Sequence, residues 1–141
     1  KALEIPDDRV FRVHAEHPPA EAAAMYGREL GGFVESGGRV TLGFLGLGAD
    51  GHTASLFSAD HIRVAEGKWA LAVKRPDGLE GVSATPQFIA RVERIVFLVA
   101  GADKREMANR LLKDTLSIPA GMAVAGNKSV EVWLDPAANP L

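Results

Sequence analysis

Cysteine is absent from the 141 residues, which excludes disulfides, a thiolate nucleophile and any zinc site built on cysteine. A basic excess is also missing. Sixteen Lys and Arg stand against 18 Asp and Glu, so the chain has no electrostatic footprint for nucleic acid or an anionic membrane surface. No apolar run approaches the roughly 20 residues of a membrane-crossing helix, and no signal-peptide pattern opens the chain. Histidine occurs only at His14, His17, His52 and His61, which leaves few candidates for general-base work near neutral pH. No His-x-x-x-His pair offers metal-ligand spacing, so neither a metal nor another cofactor is expected. These absences together predict a soluble, cytoplasmic protein.

What is present reads as one globular domain over residues 1–141, with 47% apolar and 24% charged residues. The first residue is Lys1 rather than methionine, and the expectation is that an upstream segment belongs with this chain. Val10-Phe11-Arg12-Val13 alternates with period two and predicts a strand. Pro18-Pro19 opens a helix running to about Glu35, where Tyr26, Leu30, Phe33 and Val34 share a face. Val40 to Leu47 predicts a strand covered on both faces in a parallel sheet. A glycine turn follows it, and then a short helical stretch from Thr53 through Phe57.

Trp69 to Val73 and Ile95 to Ala100 are further strand candidates, and Thr85-Pro86 is a cap with a first-turn proline. A helix is predicted from Ala102 to about Lys113 with Met107, Leu111 and Leu112 on one side, then a last strand from Val130 to Leu134. Trp69 and Trp133 fall in strands and are expected in the core. His14 and His17 read as surface or turn residues, and His61 follows the short helix near the glycine turn. Alternation of strands with helices predicts an α/β fold with a mostly parallel sheet flanked by helices.

The segment TLGFLGLGADGHTASLF, Thr41 to Phe57, holds Gly46-x-Gly48-x-x-Gly51 directly behind an apolar run. That spacing matches a dinucleotide-binding turn. Two features oppose that reading. Asp50 would set negative charge beside a pyrophosphate, and the next strand ends in Lys74-Arg75 where an acidic ribose ligand is needed. The other reading makes Asp50-Gly51-His52 the chemistry, exposed by the glycines at the carboxyl end of a parallel strand, where such sheets bind ligands. A histidine placed there serves as general base, Asp50 either orients it or closes an aspartate turn, and turn N–H groups serve as oxyanion donors. Gly101-Ala102-Asp103-Lys104 sets Lys104 at the start of a helix, where an anion is favoured; the alternative is an ordinary solvated lysine.

LGLGADGHTASLF resembles the active-site segment of the 6-phosphogluconolactonase family, which shares a superfamily with the glucosamine-6-phosphate deaminases. RIVFLVAGADK, Arg94 to Lys104, and VEVWLD, Val130 to Asp135, are similar to later segments of that family in order and spacing. The resemblance implies a Rossmann-like fold of which this chain is the C-terminal part. The implied function is hydrolysis of 6-phosphoglucono-δ-lactone in the oxidative pentose phosphate pathway, with no cofactor. It makes His52 and Asp50 the catalytic residues. Gly48, Gly51 and Lys104 are the implied substrate contacts, with Arg105 and Arg75 as weaker candidates.

Deaminases carry a glutamate five residues after the loop histidine, and here that position is Phe57. Gly81 stands near a position where the family tends to have an arginine, which shifts that contact toward Arg75. Family members are longer and carry an upstream phosphate loop, so an exposed sheet edge is expected to need an N-terminal segment or self-association. The alternatives are a sugar-phosphate-binding module without catalysis and a deaminase or isomerase of the same superfamily.

Overall fold

The computed structural model describes residues 4–141. Along the chain the elements are α1 (Pro19–Glu35), β1 (Gly43–Gly46), α2 (Ala59–Val64), β2 (Ala70–Lys74), β3 (Glu80–Ala84), α3 (Pro86–Ile89), β4 (Ile95–Val99), α4 (Arg105–Lys113), α5 (Pro119–Val124) and β5 (Val130–Leu134). The strands form two sheets. One is parallel in the order β1-β4-β5, with Leu45 beside Phe97 and Phe97 beside Val132; the other is the antiparallel hairpin β2-β3, packed against α1. Crossovers through helices between parallel strands make this an α/β fold of the expected Rossmann-like kind.

Local chemistry accounts for the element boundaries. Pro19 occupies the first turn of α1, where a missing N–H costs nothing, and Gly37, at φ +88°, turns the chain after Ser36. Thr85 caps α3 by accepting from the Phe88 N–H, and its hydroxyl donates to the Lys68 carbonyl. Central strand β4 supplies the middle of the core: Ile95, Val96 and Phe97 are fully buried, each burial stabilising by about 1.5–3 kcal/mol. Met107, Ala108 and Leu111 of α4 face Ile118, Ala120 and Val124 in the same cluster.

Several expectations fail for identifiable reasons. Val10 to Val13 is extended but pairs with no strand among the described residues; Phe11 instead packs at 5.2 Å on Phe33 of α1. Thr53 to Phe57 is not helical. Thr53 and Leu56 bridge across a tight turn, and the helix starts only at Ala59, capped by the Ser58 hydroxyl. β1 is an edge strand covered on one face, because Phe44, 59% exposed, points away from the helices. Trp133 lies on that same open face of β5 and is 53% exposed rather than in the core. Leu112 likewise leaves the buried face of α4, which begins at Arg105 after a 3₁₀ turn at Ala102–Lys104.

Candidate active site

The site grows from the carboxyl end of β1. Leu47 is buried and anchors the loop, and the Thr53 hydroxyl donates to the Gly46 carbonyl at 2.8 Å, closing the loop at its base. Within the turn the Gly48 N–H donates to the His52 carbonyl at 2.8 Å and the Gly51 N–H to the Gly48 carbonyl at 3.0 Å. Gly51 sits at φ +86°, and a Cβ there would meet Ile118 at 3.0 Å, so the position needs glycine for both conformation and space. Its carbonyl accepts from the Ala120 N–H at 2.9 Å, tying the loop to α5. Gly51 is therefore a framework residue, and both glycine N–H groups are spent on the loop's own carbonyls.

Gly48 has a different reason to be glycine. A Cβ there would overlap His52 Nδ1 and Asp50 Oδ1, which pass directly over it. Those two side chains form the centre of the candidate site. Asp50 Oδ1 lies 2.5 Å from His52 Nδ1 and also accepts from the His52 N–H at 3.2 Å. Asp50 thus bonds the backbone and the imidazole of His52 at once. Partial burial pushes the Asp50 carboxyl up, but the hydrogen bonds from the His52 ring and backbone outweigh it and hold the carboxyl below its ordinary value. An ionised carboxylate only accepts, so Nδ1 is the donor in this bond, and in the neutral imidazole the lone pair is then on Nε2.

Lys104 shares a cleft with this pair. The cleft measures about 350 Å³ and is lined by Gly46, Leu47, Gly48, His52, Ala54 and Lys104, between the ends of β1 and β4. Gly101, at φ +103°, turns the chain out of β4, and its N–H is held by both Asp135 carboxylate oxygens at 3.2 Å. That brace directs the 3₁₀ turn and Lys104 toward the loop. The Lys104 ammonium rests 3.2 Å from Asp103, giving a cation at the cleft wall.

The remaining candidates lie outside the cleft lining. Arg105 turns away, its Nε donating to the Ala137 carbonyl at 3.1 Å. Arg75 approaches from the β2-β3 hairpin, doubly bonded to Asp77, with its guanidinium carbon 5.9 Å from the Phe57 ring centroid. Gly81 lies beneath it, and a Cβ there would stand 4.0 Å from Arg75 Cδ. His61 reaches the site indirectly, accepting the Phe57 N–H on Nδ1 at 3.2 Å. His14 pairs with Glu16 and Glu29 and His17 with Glu21, both on the α1 side of the molecule.

Sequence reasoning missed Ala54, a cleft residue at φ +49°. Left-handed backbone in a residue with a Cβ is strained, and such strain concentrates at functional sites. Alanine carries no signal for it. Among the described residues no group of three His, Asp or Glu side chains has metal-binding geometry, and no helix is long and apolar enough to cross a membrane.

Comparison with known proteins places this chain in a family. The model for glucosamine-6-phosphate isomerases/6-phosphogluconolactonase matches residues 1–133. A 6-phosphogluconolactonase from Aggregatibacter actinomycetemcomitans is 31% identical over 143 residues, covering 99% of this chain and 61% of that protein. One from Haemophilus influenzae is 30% identical, covering 96% of this chain and 60% of the relative. The chain therefore spans about 60% of the length of these relatives. The crystal structure of 6-phosphogluconolactonase from Thermotoga maritima superposes with a TM-score of 0.76 at 26% identity, over 92% of this chain and 57% of that one. The sequence match and the shared fold agree: this chain belongs to the glucosamine-6-phosphate isomerase/6-phosphogluconolactonase family.

Proposed function

We propose that the chain carries the hydrolytic centre of a 6-phosphogluconolactonase and opens 6-phosphoglucono-δ-lactone to 6-phosphogluconate. The observation that carries this reading is His52, bonded to Asp50, lining the same cleft as Lys104. In this scheme His52 Nε2 takes a proton from water as the water oxygen bonds to the lactone carbonyl carbon. Asp50 stabilises the imidazolium formed at that moment. The tetrahedral intermediate collapses by breaking the bond to the ring oxygen, and the imidazolium returns its proton to that oxygen. One histidine serves both steps.

Lys104 takes the phosphate end, in a charge-assisted contact. The Gly48 and Gly51 N–H groups are already engaged, so the oxyanion contact falls to the rest of the loop, where the Ala49 N–H has no backbone acceptor among the described residues. Arg105 is left out of the substrate set, and Arg75 acts from the flank. Phe57 favours lactone opening over amine release, since an aromatic ring stands where a deaminase relay needs a carboxylate. A cytoplasmic location, and cover of the open edge of β1 by an N-terminal segment or a second copy, belong to the same proposal.

Offering the chain both chemistries tests it. The expected result is accelerated opening of fresh 6-phosphoglucono-δ-lactone with no ammonia released from glucosamine 6-phosphate. Ammonia release would overturn the lactonase assignment, and saturable binding of either ligand without turnover would make the chain a binding module.

A further inference from the structure

The loop imidazole has a second fixed neighbour besides Asp50. The Phe57 ring packs on it with centroids 4.4 Å apart and planes tilted by 43°. Phe57 is itself held from three directions. Leu56 before it is fully buried, and the Leu56 N–H donates to the Thr53 carbonyl at 2.9 Å, across the turn that contains the strained Ala54. The Phe57 N–H donates to His61 Nδ1, and the His61 N–H donates to the Ser58 hydroxyl at 3.2 Å, so the start of α2 fixes the backbone. The Arg75 guanidinium, held in place by Asp77, lies over the ring 5.9 Å from its centroid.

A bond from Nδ1 to an exposed carboxylate fixes one point of an imidazole and leaves the ring free to swing about that point. A packed aromatic ring removes the swing. The ring does no proton transfer, so its action passes through His52, the imidazole it packs on.

We propose that Phe57, braced by His61 and Arg75, is the positioning residue that holds His52 Nε2 toward the cleft, an assignment that rests on the lactonase reading for its kinetic consequence. Misplacing a catalytic group by about 1 Å costs on the order of 100-fold. Phe57→Leu keeps an apolar side chain and removes the ring, so it is expected to lower kcat by about 10- to 100-fold with KM within about twofold. Phe57→Tyr keeps the ring and is expected to retain kcat within about threefold.

The spectroscopic readout is independent of turnover. The ring protons of His52, assigned by their loss in His52→Ala, lie under the Phe57 ring current. They are expected to shift toward the free-histidine position in Phe57→Leu and to stay in place in Phe57→Tyr. Unmoved His52 resonances in a folded Phe57→Leu overturn the proposal, as does their displacement in Phe57→Tyr. Unchanged kcat in Phe57→Leu with displaced resonances overturns it too. Absence of turnover in the parent counts against the lactonase reading alone, and the resonances then decide the positioning.

Discussion

Replacing Gly48 by alanine is expected to abolish most catalysis while leaving the fold intact. The added Cβ falls on His52 Nδ1 and Cε1 and on Asp50 Oδ1, so the two side chains cannot keep their present bond. The Gly48 N–H to His52 carbonyl bond and a backbone outside the left-handed region both tolerate alanine. His52 and Asp50 are 29% and 53% exposed, so they can swing outward into solvent and the stability cost stays at or below about 1 kcal/mol.

The functional cost is larger. Positioned general-base catalysis contributes roughly 100- to 10,000-fold, or about 2.7–5.4 kcal/mol at 1.36 kcal/mol per decade, and Gly48→Ala forfeits most of it. Lactone hydrolysis, corrected for the spontaneous rate, gives the kinetic half of the comparison, and thermal unfolding gives the other. Gly46→Ala is the control for stability and for the His52 resonances, because a Cβ there meets no atom within 4 Å. Should Gly48→Ala hydrolyse the lactone within about threefold of the parent rate, the Asp50-His52 pair is not the catalytic unit.

Other consequences are as direct. Lys104→Met removes a charge-assisted contact of about 1.5–3 kcal/mol and is expected to raise KM about 10- to 100-fold with a smaller change in kcat; a change confined to kcat would refute phosphate binding there. Ala54→Gly relieves about 1–2 kcal/mol of left-handed strain against about 0.5–1 kcal/mol of added unfolded-state entropy. The melting temperature should therefore hold or rise, and a marked fall would contradict the strained turn. The Arg12 hydrogen bond holds the Glu16 carboxyl down to about 2 from its ordinary 4.5. Its contribution is complete above pH 4.5 and lost as pH falls toward 2, so Glu16→Gln should flatten the acid limb of stability measured between those pH values.

Much of this architecture is legible in the sequence where local chemistry decides it. The Pro19 start of α1, the Thr85 cap, the buried run of β4 and the final strand are all set by nearby residues. The readings that fail depend on partners. Val10 to Val13 alternates correctly, but a strand needs a neighbour's backbone, and Phe11 finds Phe33 instead. α5 escapes notice because Pro119 to Val124 is only six residues long, with Ala120, Gly121, Ala123 and Val124 all buried, and shows no periodic face.

The site divides along the same line. Asp50 and His52 are two residues apart and their pairing is local. Lys104 reaches them through β4 and the Asp135 brace on Gly101, a tertiary arrangement announced only by family resemblance. The contact between Phe57 and Arg75 joins the loop to a separate hairpin, and no spacing in the sequence reveals it.

The central claim, that His52 is the base for lactone opening, is tested most directly by the rate at which the chain and its His52→Ala variant hydrolyse fresh 6-phosphoglucono-δ-lactone, each corrected for spontaneous opening. The account predicts that the parent accelerates the reaction and that the folded variant loses at least about 100-fold of that acceleration. A folded His52→Ala chain that hydrolyses the lactone at the parent rate would contradict it.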